Sequence, residues 1–253
     1  MSERAASMTG TTGRSLGAAV LGLWVAACGG KDTPKPEAVA TGSGAYSQGG
    51  TNVPPPAAGG AAAPGVPAAR KTLLIIGTSL TAGLGLNPKD AYPALLEAKA
   101  DSAGLPWTVF NAGLSGETSA GALRRADWVL SGPGDVVVVE TGANDGLRGV
   151  EVDSTRANIR ALLARVKAAK PGAPVLLVQM EAPPNMGQAY TRAFHAMYPA
   201  LAREAGVPLL PFLLDGVAGV AKYNQPDGIH PNEDGSKLVA ANLWKALAPV
   251  LAR

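Results

Sequence analysis

Residues 73–80 read Leu73-Leu74-Ile75-Ile76-Gly77-Thr78-Ser79-Leu80. Four consecutive apolar residues, with no alternation, suit a strand buried on both faces of a parallel sheet. Gly77 ends the run, and Thr78-Ser79 place two hydroxyls where the chain must turn. Similar runs follow. Residues 108–112 form a weaker one. Val136-Val137-Val138-Val139 leaves the turn Gly132-Pro133-Gly134-Asp135, Val175-Leu176-Leu177-Val178 comes next, and residues 207–210 form a short fifth. Helical patterns fill the intervals near 90–103, 117–130, 153–169 and 188–205, and a last one runs over about 233–251. Asp90 and Asp153 are candidate N-caps, and Lys170-Pro171-Gly172 is a stop signal. Alternating strands and helices predict a three-layer α/β sandwich with right-handed crossovers, in which ligands bind beyond the carboxyl ends of the strands.

Four segments at such strand ends carry chemistry. They are Gly77-Thr78-Ser79-Leu80, Ser115-Gly116-Glu117, Gly142-Ala143-Asn144-Asp145 and Asp227-Gly228-Ile229-His230-Pro231. Ser79 offers a nucleophile, which needs a base to accept its proton. The chain has two histidines. His195 lies inside an apolar helical pattern and reads as a helix-face residue. His230 follows Asp227 by three residues in a loop, so an acid can hold the Nδ1 proton and leave Nε2 for the serine. Taken alone, Asp227 also fits an Asx-turn in Pro226-Asp227-Gly228. Asp145 is a second candidate for the orienting acid, ranked lower because it adjoins Asn144. The Gly116 N–H and the Asn144 amide, with the Ser79 N–H, are candidate oxyanion donors; taken singly, Gly116 also fits an ordinary turn and Asn144 a left-handed turn residue. Gly77-Thr78-Ser79-Leu80-Thr81 lacks the second glycine of a G-x-S-x-G elbow, which argues against an α/β-hydrolase.

Composition narrows the alternatives. The 253 residues are 47% apolar and carry a net charge of +3. Much of that charge lies in the first 70 residues, where Arg4, Arg14, Lys31, Lys35 and Arg70 outnumber Glu3, Asp32 and Glu37. No dense basic run with interleaved aromatics marks a nucleic-acid surface. One cysteine and two histidines argue against a Cys- or His-based metal site.

The first 27 residues read as an address. Arg4 and Arg14 precede the apolar stretch 16–27, which is short for a bilayer span but suits a signal peptide. It ends at Val25-Ala26-Ala27-Cys28, which resembles a bacterial lipobox with Cys28 as the lipidated residue. Residues 28–70, rich in Gly, Ala and Pro, read as a disordered spacer between a lipid anchor and a folded domain at 71–253. The expected location is the bacterial cell envelope, anchored and facing the periplasm.

The four segments resemble the blocks of the SGNH, or GDSL, hydrolase family. The resemblance extends through Tyr92-Pro93-Ala94-Leu95-Leu96, Asn111-Ala112, Thr118-Ser119, Gly146-Leu147-Arg148-Gly149 and Asn232. The sequence resembles the branch of bacterial periplasmic thioesterase/lysophospholipases and arylesterases, and the resemblance covers 71–253. The resemblance implies a flavodoxin-like sandwich with a five-stranded parallel sheet. It also implies Ser79, Asp227 and His230 as triad, Ser79, Gly116 and Asn144 as oxyanion hole, and no cofactor. The family usually has Asp at the position of Thr78, where its carboxylate braces neighbouring loops. Thr offers fewer acceptor sites, so a less well braced nucleophile turn is expected, with Thr78→Asp a modest gain of about 1 kcal/mol; the competing expectation is that neighbours have adapted to Thr78, so that an added carboxylate is buried without donors and costs more than it gains.

Loops 146–150 and 182–188, with Leu147, Pro183 and Met186, are expected to line an apolar substrate site suited to an acyl or aryl group. The reading is a serine esterase acting on small carboxylic esters or thioesters. One alternative is a carbohydrate O-acetyl esterase of envelope glycans. Another is a non-catalytic lipid- or glycan-binding surface lipoprotein.

Overall fold

The structure is a computed structural model that describes residues 70–253. The expectations for the signal segment, Cys28 and the spacer lie outside the described residues. Five parallel strands form one sheet in the order β2-β1-β3-β4-β5: β1 (Lys71–Gly77), β2 (Trp107–Gly113), β3 (Val136–Val139), β4 (Val175–Val178) and β5 (Leu209–Leu210). The apolar runs account for this placement. Leu73 to Ile76 and all of β3 are buried, as expected of strands covered on both faces. β1 lies between β2 and β3, with Leu74 in register with Phe110 on one side and with Val137 on the other.

The helices are α1 (Ser79–Ala82), α2 (Tyr92–Ser102), α3 (Ser119–Leu130), α4 (Ala143–Arg148), α5 (Val152–Ala169), α6 (Gln188–Ala205) and α7 (Glu233–Leu251). α2 packs on α7, while α3, α5 and α6 pack in a row. Trp107 at the start of β2 donates its indole N–H to the Leu251 carbonyl at 2.9 Å, pinning the end of α7 to the edge strand. The chain steps from β1 outward to β2, then returns across β1 to β3. Strand order therefore reverses between β1 and β3, and a crevice opens outside their carboxyl ends.

Several local readings change. Asp90 ends a short 3₁₀ turn, Pro88–Asp90, and Ala91 is the N-cap of α2. Asp153 lies inside the first turn of α5, where its charge favours the helix dipole; Glu151 holds the cap position. The fifth strand is only Leu209–Leu210. The two shortest helices, α1 and α4, carry too few residues to show a period.

Candidate active site

Ser79 begins α1 at the point where β1 leaves the sheet. Gly77 allows this turn. A Cβ there would lie 1.9 Å from Thr81 Oγ1 and 2.7 Å from Glu140 Oε2, so a side chain is excluded by atoms of the turn itself. Thr78 is the N-cap, its hydroxyl accepting weakly from the Leu80 N–H at 3.5 Å.

Asp227 and His230 lie in a loop closed by its own backbone. Gln225 N–H donates to the His230 carbonyl at 2.7 Å, Gly228 N–H to Gln225 at 2.9 Å, and Asn232 N–H to Tyr223 at 2.9 Å. The Gln225 amide then donates to the Leu84 carbonyl at 2.7 Å and the Pro231 carbonyl at 2.9 Å, tying this loop to the segment after α1. Residues 151 positions apart in the chain are thereby brought together. His230 Nε2 is 2.9 Å from Ser79 Oγ, and His230 Nδ1 is 2.6 Å from Asp227 Oδ2.

Asp227 makes the contacts expected of both readings weighed for it. Its Oδ1 accepts from the N–H groups of Ile229 at 2.9 Å and His230 at 3.0 Å, as an Asx-turn residue does, while Oδ2 faces the imidazole. The His230 backbone N–H, the His230 ring and the Ile229 N–H hold the Asp227 carboxyl down to about 2. An ionised Asp227 accepts and never donates, so the proton on His230 resides on Nδ1 and Nε2 is left to accept from Ser79. His195 takes no part in this chain. It lies on α6, 62% exposed, with Nδ1 2.7 Å from Glu181 Oε1.

Gly116 and Asn144 are also placed together. Asn144 Nδ2 donates to the Glu117 carbonyl at 3.0 Å, which holds its amide beside the Gly116-Glu117 turn and occupies one of its two hydrogens. Asn144 lies in the first turn of α4; the left-handed residue is Gly142, φ 97°, where a Cβ would meet the Tyr198 hydroxyl at 2.3 Å. Asp145 points elsewhere. It is buried and accepts from Ser119 N–H at 2.8 Å, Ser119 Oγ at 2.6 Å and Thr155 Oγ1 at 3.3 Å, so it joins α3, α4 and α5.

Three bracing groups lie outside the four segments that carry the chemistry. Arg148 donates to the Gly116 carbonyl at 3.0 Å. Arg125 makes a two-pronged pair with Glu117, both contacts 2.7 Å, and donates to the Ala112 carbonyl at 2.7 Å. Glu140, fully buried, accepts from Thr78 N–H at 2.7 Å, from Thr78 Oγ1 at 3.0 and 3.1 Å, and from Thr81 Oγ1 at 2.8 Å. Burial pushes the Glu140 carboxyl up, against the three donors that pull it down. The sequence signal for Glu140 was a lone charge directly after the most apolar strand. This residue favours the second expectation for Thr78, that its neighbours have adapted, over an under-braced turn. The turn is not short of a carboxylate, because Glu140 supplies one from the neighbouring strand and Thr78 gives it both of its protons.

A narrow pocket opens beside Ser79 and His230, with Leu80, Leu84, Leu86, Leu213, Leu214 and Val239 among its walls. Leu147, Pro183 and Met186 are not among them. Leu147 is exposed on α4, and Met186 lies against Gly149, where a Cβ would meet its Cε at 2.8 Å; the two expected loops thus touch each other.

A model of the GDSL-like lipase/acylhydrolase family matches residues 75–238, which span every segment just described. The chain belongs to this family. Among curated members of similar sequence, an esterase, TesA, of Pseudomonas aeruginosa is 40% identical over 185 residues, 73% of this chain and 91% of its own. Thioesterase 1/protease 1/lysophospholipase L1 of Escherichia coli K12 is 43% identical over 185 residues, 73% of this chain and 86% of its own. The crystal structure of the psychrotrophic esterase EstA from Pseudoalteromonas sp., inhibited by monoethylphosphonate, superimposes with a TM-score of 0.68 at 34% identity. It covers 72% of this chain and all of that one. The sheet order found here agrees with the flavodoxin-like sandwich that the family resemblance implies.

Proposed function

We propose that Ser79 is the nucleophile, His230 the general base and then acid, and Asp227 the group that orients it. The protein is a carboxylic ester hydrolase of the SGNH type. In the proposed reaction Ser79 Oγ attacks the acyl carbonyl as its proton passes to His230 Nε2. The tetrahedral oxyanion is received by the N–H groups of Ser79 and Gly116 and by the free hydrogen of Asn144 Nδ2. His230 then protonates the departing alcohol or thiol, and water repeats the sequence to release the acid. Asp227 stays ionised throughout and stabilises the imidazolium. The observation that carries this reading is the unbroken contact run from Asp227 Oδ2 through His230 to Ser79 Oγ, at 2.6 and 2.9 Å.

The substrates of this reading are acyl or aryl esters and thioesters. The apolar pocket walls beside Ser79 support it, as do the esterase, thioesterase and lysophospholipase named among the relatives. Leu147, Pro183 and Met186 remain proposed substrate contacts on the sequence reading alone. The envelope location, with lipid carried on Cys28, rests on the sequence 25–28 alone. Two or three acyl chains anchor a protein stably where a single one does not.

The test is turnover of aryl acetate, longer acyl esters, an acyl thioester, lysophospholipid and an acetylated sugar by the full-length protein, with covalent labelling by a serine-directed phosphonate. Acyl or aryl substrates should be preferred, and the label should map to Ser79. Label on another residue, or hydrolysis confined to the acetylated sugar, contradicts the reading.

A further inference from the structure

The nucleophile turn rests on a group that takes no part in the mechanism above. Glu140 directly follows β3, on the strand beside β1, and its side chain reaches under the turn at Gly77-Thr78. Oε2 receives the Thr78 N–H, the Thr81 hydroxyl and a branch of the Thr78 hydroxyl; Oε1 receives the other branch. Thr81 Oγ1 is in turn 2.6 Å from the Tyr92 hydroxyl, which extends the network to α2. All four side chains are buried. Gly77 leaves the space in which this carboxylate and Thr81 meet the backbone.

Such a carboxylate is costly to place where water cannot reach it, and nothing in the sheet packing requires one. What it does hold is the peptide that precedes Ser79. Directing the Thr78 N–H downward into Oε2 fixes the plane of the 77–78 peptide, and the Thr81 contact fixes the first turn of α1 from the other side. Between these two anchors lies Ser79, whose Oγ must meet His230 Nε2 and an incoming carbonyl at once. A shift of about 1 Å in such a group costs roughly 100-fold in rate.

We propose that Glu140 is a positioning residue of the hydrolase, a buried acceptor that sets the Thr78-Ser79 turn and so the aim of the nucleophile. The inference rests on Ser79 being the nucleophile. It assigns Glu140 no contact with substrate and no proton transfer.

The test compares Glu140→Met with Glu140→Gln in the full-length protein. Met keeps the volume and removes every acceptor. Gln keeps an amide oxygen where Oε2 accepts, and its NH₂ can donate to Thr78 Oγ1. Glu140→Met should lower kcat about 10- to 100-fold with KM within twofold, and slow phosphonate labelling of Ser79 by the same factor. Glu140→Gln should recover most of both rates. A role in folding alone would lower the melting temperature and leave kcat per folded molecule untouched. If Glu140→Met folds and keeps kcat, or loses only KM, the proposal is overturned. If it does not fold, Thr81→Val decides: it leaves the carboxylate but removes one anchor, and wild-type kcat there overturns the proposal equally. Ser79→Ala, run alongside, separates the two failures. Activity in that variant sinks the nucleophile assignment. Its loss beside a fully active Glu140→Met sinks only the role of Glu140.

Discussion

At the residue scale, the chemistry turns on which protons each group holds. Ser79→Ala should abolish turnover, by as much as the ~10⁶-fold seen when a triad serine is removed elsewhere, while circular dichroism stays unchanged. His230→Ala should match it, whereas His195→Ala should retain most activity, because His195 faces Glu181 and solvent. Equal losses from both histidines would place the base wrongly. Asp227 is held at about 2. A carboxyl lowered in the folded state contributes stability that is complete above the ordinary aspartate range and is lost as pH falls through about 2. Because Asp227 is 45% exposed, solvent screens that contribution. Asp227→Asn should lower kcat by about 10⁴, the effect of losing the correct tautomer. Thr78→Asp takes the second of the two signs weighed from the sequence, a loss. Its carboxylate would face Glu140 at the distance where Thr78 Oγ1 now donates. Two like charges there raise the pair's affinity for a proton. The variant should be less stable than wild type at neutral pH and regain stability on acidification, when the pair takes up a shared proton. A raised melting temperature at neutral pH would refute this.

At the element scale, short pieces between strand and helix set the geometry. Asn232 caps α7, accepting from the Gly235 N–H at 3.0 Å, and its own amide donates to the Lys222 carbonyl at 2.8 Å. It thus fixes both the start of a nineteen-residue helix and the return of the Asp227–His230 loop. Asn232→Ala should cost about 1 kcal/mol or somewhat more as a lost cap, and should also lower kcat. A stability loss with unchanged kcat would show that the loop holds without it. Gly142 combines φ 97° with close approach to Tyr198. Any side chain there meets both obstacles, so Gly142→Ala should displace α4, and with it Asn144, and reduce activity and stability together.

At the scale of the whole molecule, the reversal of strand order between β1 and β3 supplies the crevice. Ser79 comes from the end of β1, Gly116 from beyond β2, Asn144 from beyond β3, and Asp227 and His230 from the approach to α7. The proposed anchor belongs to this scale as well. Mass spectrometry of the native protein should find an acylated N-terminus at Cys28, and Cys28→Ser should release the protein from membranes. A soluble wild-type protein cut at another site would contradict it.

Read alone, the chain was sufficient for the sheet and for the segments that hold the proposed triad. Uninterrupted runs such as Leu73 to Ile76 and Val136 to Val139 have few ways to be buried except between two layers of helices. Asp227 and His230, three residues apart in one loop, meet through local backbone bonds. Short helices stayed hidden because four or six residues do not complete enough turns to show a period. Glu140 could not be assigned from sequence, because its partners Thr78 and Thr81 are 62 and 59 positions away and meet it only when β3 is laid beside β1. The same holds for Arg125 and Arg148, whose backbone acceptors belong to other elements. A contact made through sequence neighbours leaves a spacing in the chain. One made across strands leaves only an unexplained charge, and the fold decides what that charge holds.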